Sequence, residues 1–188
     1  MDEGLLLREC LLGKREAQKQ LFELFSGPML GVCYRYTKSM ADAEDVLQEG
    51  FIKIYRNLHQ YSGQGELGAW IRRIMVNTAI NYLKRNSHYQ AELSFRDAGL
   101  HLVSGDDPEV TLYSKDLAML IRQLPTGYQT IFNLHAVEGF SHVEIGKMLG
   151  IHEGTSRSQY ARARHLLISW IKNFAADAKT ESYTRPRL

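Results

Sequence analysis

Three stretches of this 188-residue chain gather side chains that can do recognition chemistry. In the first, Thr155, Ser158, Ala161, Arg162 and His165 fall on one sector of a helix, with Arg157 on its flank. Arginine can bond guanine through two parallel donors, serine can bond several base edges, and alanine can touch a thymine methyl. Arg162, Arg164 and Lys172 suit phosphate oxygens. In the second, Arg72, Arg73, Asn77, Asn81, Lys84 and Arg85 are polar positions away from much of an apolar stripe, close after a loop. Arginines and asparagines beside a loop fit a nucleic-acid strand better than an acidic protein. Trp70, next to them, reads as core. In the third, Asp45, Gln48, Glu49, Ile52 and Arg56 share the side of a helix opposite Leu47 and Leu58. An acidic rim around an exposed isoleucine suits a protein partner.

Catalytic chemistry has no comparable signal. His135 and His142 are seven residues apart, and no His-Glu-x-x-His set occurs. There is no glycine-rich phosphate loop and no nucleophile–base pair, so a metal-dependent enzyme is disfavoured. No catalytic residue, metal ligand or cofactor is assigned. Cys10 and Cys33 lack metal-like spacing, and two cysteines in a chain of this length point to a reducing cytoplasm. Apolar residues make up 44% and charged residues 23%, as in folded soluble proteins. No run approaches the ~18 apolar residues that span a bilayer. The apolar run at residues 5–7 is too short for a signal-peptide core, so neither export nor membrane insertion is expected.

Charge is unevenly placed although the net value is only +2. Residues 66–90 carry +3, residues 91–118 carry −4 and residues 154–188 carry +5. Two basic segments flanking an acidic one offer two docking places for a polyanion.

The elements that must position these side chains read as almost entirely helical. Helices are predicted over residues 5–25, ending at Ser26-Gly27-Pro28, and over 29–38. A third spans 42–59, with Leu47, Phe51, Ile54 and Leu58 on one face. A fourth spans 67–86, with Ile71, Ile74, Met75, Thr78 and Tyr82 as its buried stripe. Serines, glycines, aspartates and Pro108 then mark a linker, with a helical turn near Glu92. So long a connection argues for two small domains. Beyond it come a helix over 109–124, another opened by Pro125 and closed by Glu138-Gly139, and a Ser141/Glu144 capping box starting a short helix. After the turn 150–152, a longer helix runs over 153–174. Short helix, glycine-containing turn, longer basic helix is the helix-turn-helix pattern. The expected fold is all-α: an N-terminal domain at 1–88, a flexible acidic linker at 89–108, a helix-turn-helix domain at 109–174 and a frayed tail at 175–188.

Three motifs carry a family resemblance. DAEDVLQEGFIKIYRNL at 42–58 resembles the core-polymerase-binding helix of bacterial extracytoplasmic-function (ECF) sigma factors of the sigma-70 family. AWIRRIMVNTAINYLKRN at 69–86 is similar to that family's promoter-melting and −10-recognition helix. LPTGYQTIFNLHAVEGFSHVEIGKMLGIHEGTSRSQYARARHLL at 124–167 is similar to its −35-binding domain. The resemblance implies a cytoplasmic, non-enzymatic initiation factor whose partners are RNA polymerase core enzyme, promoter DNA and an anti-sigma factor. Asp45, Gln48 and Glu49 would meet the polymerase clamp. The loop with Tyr61, Ser62 and Glu66 would hold a flipped −10 base, and Arg72, Arg73, Asn77 and Lys84 would track the non-template strand. The acidic linker would lie along the RNA path.

The chain departs from the family pattern at Asn81, where Asp is usual, and at Gly68, where a large apolar residue is common. It departs again at His152, in place of a small N-cap, and at Ser156 and Gln159, in place of a common Val and a basic residue. The competing reading is a polymerase-independent helix-turn-helix regulator. It accounts for 124–172 but leaves the faces at 42–58 and 72–85 without a task. A sequestering adaptor would not need two basic helices.

Overall fold

The computed structural model describes residues 3–85 and 114–183, with side chains over 3–85 and 117–172. The expected linker at 89–108, the turn near Glu92 and the helix start at 109–113 lie outside the described residues. The chain divides into two compact units, Met1–Asn86 and Ser87–Leu188. Among the described residues there is no strand.

In the first unit, α1 covers Glu3–Leu11, α2 Arg15–Tyr34, α3 Met40–Asn57 and α4 Leu67–Arg85, with a 3-10 turn at Leu58–Gln60. The predicted break at Ser26-Gly27-Pro28 is not there: α2 runs straight through Pro28. The break falls instead at Gly13, whose φ of 72° ends α1. Proline removes one helical hydrogen bond, here to the carbonyl of Leu24. Both Leu24 and Pro28 are exposed, so water can reach that carbonyl. The same helix meanwhile buries Ala17, Leu21, Met29, Val32 and Cys33, and that packing keeps it continuous. Both cysteines are free and buried, and burial pushes the Cys33 thiol up to about 12.

Helix α2 packs on α3 and α4, and α3 packs on α4. Leu21, Val46, Phe51, Ile54, Ile71, Met75 and Val76 fill the space between them. The rings of Phe22 and Phe51 lie 4.6 Å apart, and the Tyr55 hydroxyl donates to the Gln18 carbonyl at 2.9 Å. The predicted α3 stripe is buried throughout. The α4 stripe is only partly so: Ile74 and Tyr82 are half-buried, while Val76, Ala79, Ile80 and Leu83 join Ile71, Met75 and Thr78 inside. Packing against two helices at once widens the buried sector beyond a single stripe.

Polar clasps fix the seam of α3 and α4. Ser39 caps α3, its Oγ accepting from the Asp42 amide at 3.1 Å. The Tyr82 hydroxyl donates to Asp42 Oδ1 at 2.6 Å. Lys53 Nζ donates to Thr78 Oγ1 at 3.3 Å. Hydrogen bonds from Ser39 and then Tyr82 hold the Asp42 carboxyl below its ordinary value, and the Asp42 bond pushes Tyr82 up to about 12.

In the second unit, α5 covers Ser114–Gln123 and α6 Thr126–Phe132, prolonged by a π-helical turn at Asn133–Val137. Helix α7 covers His142–Leu149 and α8 Glu153–Tyr183. The π-turn replaces the uniform α-helix expected up to Glu138, and Gly139 ends it at φ 80°. Helix α8 continues to Tyr183, beyond the expected end at 174 and through the start of the expected tail. No glycine or proline interrupts 175–183, and alanines there favour helix. Helices α6 and α7 both pack on α8. Leu124, Ala163 and Leu167 form a core with Leu120, Ile121, Phe132 and Trp170 around it, and Ile131, Leu134 and Ile145 are fully buried. The capping box forms as expected: Ser141 N–H donates to Glu144 Oε2 at 2.8 Å, and Ser141 Oγ accepts from the Glu144 amide. Gly150, at φ 72°, turns the chain from α7 toward α8.

Two outcomes follow from this packing. Tyr82→Phe should raise the Asp42 titration point toward, but not up to, the ordinary carboxylate value, because Ser39 remains. An Asp held low stabilises the fold above that ordinary value and loses its contribution as pH falls through the lowered one. The variant should therefore lose about 1 kcal/mol at neutral pH, and its acid-dependent loss should be smaller than the wild type's and complete at a higher pH. Carboxyl-carbon NMR and urea unfolding across the acid range check both. Gly150→Ala should cost roughly 1–2 kcal/mol, since a side chain opposes the left-handed conformation. Hydrogen exchange of α7 and α8 amides should show the loss in the second unit alone.

Candidate polymerase and nucleic-acid interfaces

On α3, Asp45, Gln48 and Ile52 are exposed and Glu49 is half-buried, all on the face opposite the buried stripe. Ile52 keeps half its surface open. Glu49 is already engaged: its carboxylate pairs with Lys53 at 2.7 Å and with Arg85 of α4 at 2.6 Å. Lys53 first, and Arg85 after it, hold the Glu49 carboxyl below its ordinary value. Asp45 forms no ion pair among the described residues, so it is the acid on this face that is open to a partner.

The loop before α4 is shaped by its own contacts. Tyr61 hydroxyl donates to the Gly65 carbonyl at 2.8 Å, and its ring lies 5.6 Å from Trp70. Gly63 and Gly65 both take positive φ. Ser62 and Glu66 are exposed, and the Glu66 carbonyl accepts from the amides of Ala69 and Trp70 to begin the helix. Trp70 is half-buried: it supports the loop rather than sitting in the core.

Along α4, Arg73, Asn77 and Asn81 form one exposed line at four-residue spacing, continued by Arg85 and flanked by half-buried Lys84. Arg72 does not join this line. One residue back is about 100° round the helix, and Arg72 is half-buried on the far side. The structure thus gathers Arg73, Asn77, Asn81 and Lys84 and separates Arg72. Arg85, grouped with these residues in the sequence, continues the Arg73–Asn77–Asn81 spacing but is paired with Glu49.

On α8, Arg157, Ser158 and Ala161 are exposed, while Thr155, Arg162 and His165 are half-buried at the edges of the same outer surface. Ser156, Ala163 and Leu167 are buried on the inner face, and Gln159 joins them at 6% exposure. Arg157 Nε donates to Glu153 Oε1 at 2.9 Å, and its Nη2 bonds the same oxygen. Glu153 precedes Arg157 by four residues, the spacing that lets the two meet on one helix face. Ser158 Oγ donates to the Thr155 carbonyl at 3.1 Å, which leaves its lone pairs able to accept. His152 does cap the helix: its Nδ1 accepts from the Gly154 amide at 3.1 Å. No group of three or more potential metal ligands occurs among the described residues, and no described helix is long and apolar enough to cross a membrane.

Residues 21–89 match the family model for Sigma-70 region 2, and residues 114–167 match that for Sigma-70 region 4. The chain is 34% identical over 183 residues to the ECF RNA polymerase sigma-E factor of Haemophilus influenzae, covering 92% of this chain and 96% of that one. It is 27% identical over 179 residues to the ECF RNA polymerase sigma factor SigW of Bacillus subtilis, covering 89% and 95% respectively. Among solved structures, the sigma factor RpoE in complex with the anti-sigma factor NepR, from Bartonella quintana, shares the fold. The TM-score is 0.50 at 20% identity, over 82% of this chain and 96% of that one. Two matched regions in order, and a relative more than 30% identical along nearly its whole length, place the chain: it belongs to the ECF sigma factors of the sigma-70 family.

Proposed function

We propose that the chain binds RNA polymerase core and directs initiation at specific promoters through three surfaces, with no bond chemistry of its own. The observation that carries this is the sorting of side chains on three helices. Each buries an apolar stripe and presents an outer face of one character: acidic around an exposed Ile52 on α3, basic and amide-bearing on α4, basic on α8. A polymerase-independent regulator would need only the third. In this reading Asp45, Gln48, Glu49 and Ile52 meet the polymerase. Tyr61, Ser62 and Glu66 hold an unstacked −10 base, and Arg73, Asn77, Asn81 and Lys84 follow the opened strand. Arg72 supports from the flank. Thr155, Arg157, Ser158, Ala161, Arg162 and His165 read the −35 duplex, with Arg157 held at the helix start by Glu153. Residues 1–88 would form the first functional domain and 109–174 the second, joined by 89–108 and followed by a tail at 175–188. The protein would act in the cytoplasm. The Bartonella relative was solved with an anti-sigma factor, and a partner of that class would control this chain by covering the same faces.

Transcription by purified core polymerase on genomic fragments tests the whole reading. Addition of the chain should give discrete 5′ ends, whereas DNA binding without initiation would favour the regulator. Asp45→Lys combined with Ile52→Ser should weaken capture of core by about tenfold or more with circular dichroism unchanged. Glu49 is left intact there because its loss would strand Lys53 and Arg85. Normal capture by that folded variant would remove α3 from the interface.

Strand opening separates the two adjacent arginines. Arg73→Ala should reduce permanganate-reactive thymines at the mapped start sites several-fold, while Arg72→Ala should have the smaller effect, because only Arg73 lies on the exposed line. The reverse order would place the strand on the other side of α4.

A further inference from the structure

His135 stands in the π-turn and His142 opens α7. Their rings stack with centroids 4.2 Å apart and planes within 24°. Tyr160 of α8 meets His135 edge-on at 4.6 Å and lies 5.7 Å from His142, and Phe132 stacks on Tyr160 at 5.8 Å. This layer joins the π-turn, α7 and α8.

Each imidazole also makes one polar contact. His135 Nδ1 lies 2.8 Å from the Phe140 carbonyl, which can only accept, so that nitrogen carries the hydrogen. His142 Nδ1 lies 2.9 Å from Ser156 Oγ. Ser156 is fully buried on the inner face of α8. A buried hydroxyl is costly unless it is bonded, and His142 supplies the bond. The departure at Ser156 is therefore matched by a partner on the preceding helix, across the turn that sets the angle of α8.

We propose that His142, stacked on His135 and bonded to Ser156, is a positioning residue for the recognition helix and makes −35 duplex binding fall at acid pH. This rests on the reading of α8 as the −35 surface. Charge on His142 is opposed from several sides. It is the first residue of α7, where the positive end of the helix dipole disfavours a cation. His135 faces it from the π-turn, and Tyr160, Arg157 and Glu153 face it from α8. On its own helix, Glu144 is committed to the Ser141 cap. Glu153 alone favours the charge, and Glu153 is already bonded to Arg157. Burial, then His135 and Arg157, lower the His142 titration point below the ordinary 6.5. The folded protein then binds fewer protons than the unfolded chain. The stabilisation is complete above that ordinary value and is lost as pH falls below it. A second proton on the stack would set two cations face to face.

The test uses the full chain with core polymerase and a duplex that this complex selects from a randomised pool at pH ~7.5. His142→Gln keeps an amide that can bond Ser156 but cannot titrate. The ratio of duplex affinity at pH ~7.5 to that at pH ~5.5 should be about threefold or more larger for the wild type than for the variant. Because both carry the same polymerase, its own pH dependence cancels. Equal ratios overturn the inference while leaving the −35 reading in place. Failure of the wild-type complex to select any duplex overturns the −35 reading itself, and the inference with it. Should His142→Gln not fold, imidazole NMR of the wild-type chain decides. A His142 signal titrating below the ordinary value supports the inference, and one titrating at or above it overturns it.

Discussion

The crossing of α3 over α4 is the constraint on which the first unit depends, and Gly50 lies in it against Met75. A Cβ built at Gly50 would lie 2.2 Å from the Met75 sulfur, so the methionine occupies the space where a side chain would begin. The two helices close at that point, and their outer faces are turned away from each other's cores. Asp45 and Ile52 can stand on one surface, and Arg73, Asn77 and Asn81 on another, because the apolar stripes between them are consumed in the seam. The recognition chemistry of this unit is what remains exposed after its packing is satisfied.

Along that seam the two surfaces touch electrically. Arg85 ends the exposed basic line of α4 and reaches back to Glu49 on the acidic face of α3. Such a pair, with Arg85 well exposed, contributes little to stability. Its consequence is local: it neutralises one acid on the outer face of α3 and engages the last cation of the exposed α4 line. Asp45 and Arg73, on the same two faces, are exposed and form no ion pair among the described residues.

The second unit meets a different demand. In so small a unit the inner surface of α8 needs fixing by something other than a large core. Ala163 and Leu167 provide apolar contact, and the imidazole–tyrosine layer provides direction. Stacked rings and a bond to a buried hydroxyl restrict rotation more sharply than apolar contact does.

The sequence by itself determined that the chain is helical, that it has two helical parts, and which stripe of α3 faces inward. Periodicity and cap residues are local, and Leu47, Phe51, Ile54, the Ser141/Glu144 box and Gly139 report them directly. The same locality misled at Pro28, which reads as a break until α2 is seen to bury its other face. It misled again at Ile74 and Tyr82, whose exposure depends on α4 having two neighbours, and at 175–183, where nothing stops the helix. Of the candidate sites, the outer residues of α8 and the exposed face of α3 were legible because each lies within one helix. Tertiary structure alone decided that Arg72 is half-buried, that Glu49 is held by Arg85, and that Ser156 is bonded by His142. The physical reason is common to all three. A side chain's partner and its exposure are set by groups that folding brings near, and those groups lie outside the few residues whose spacing a sequence pattern can register.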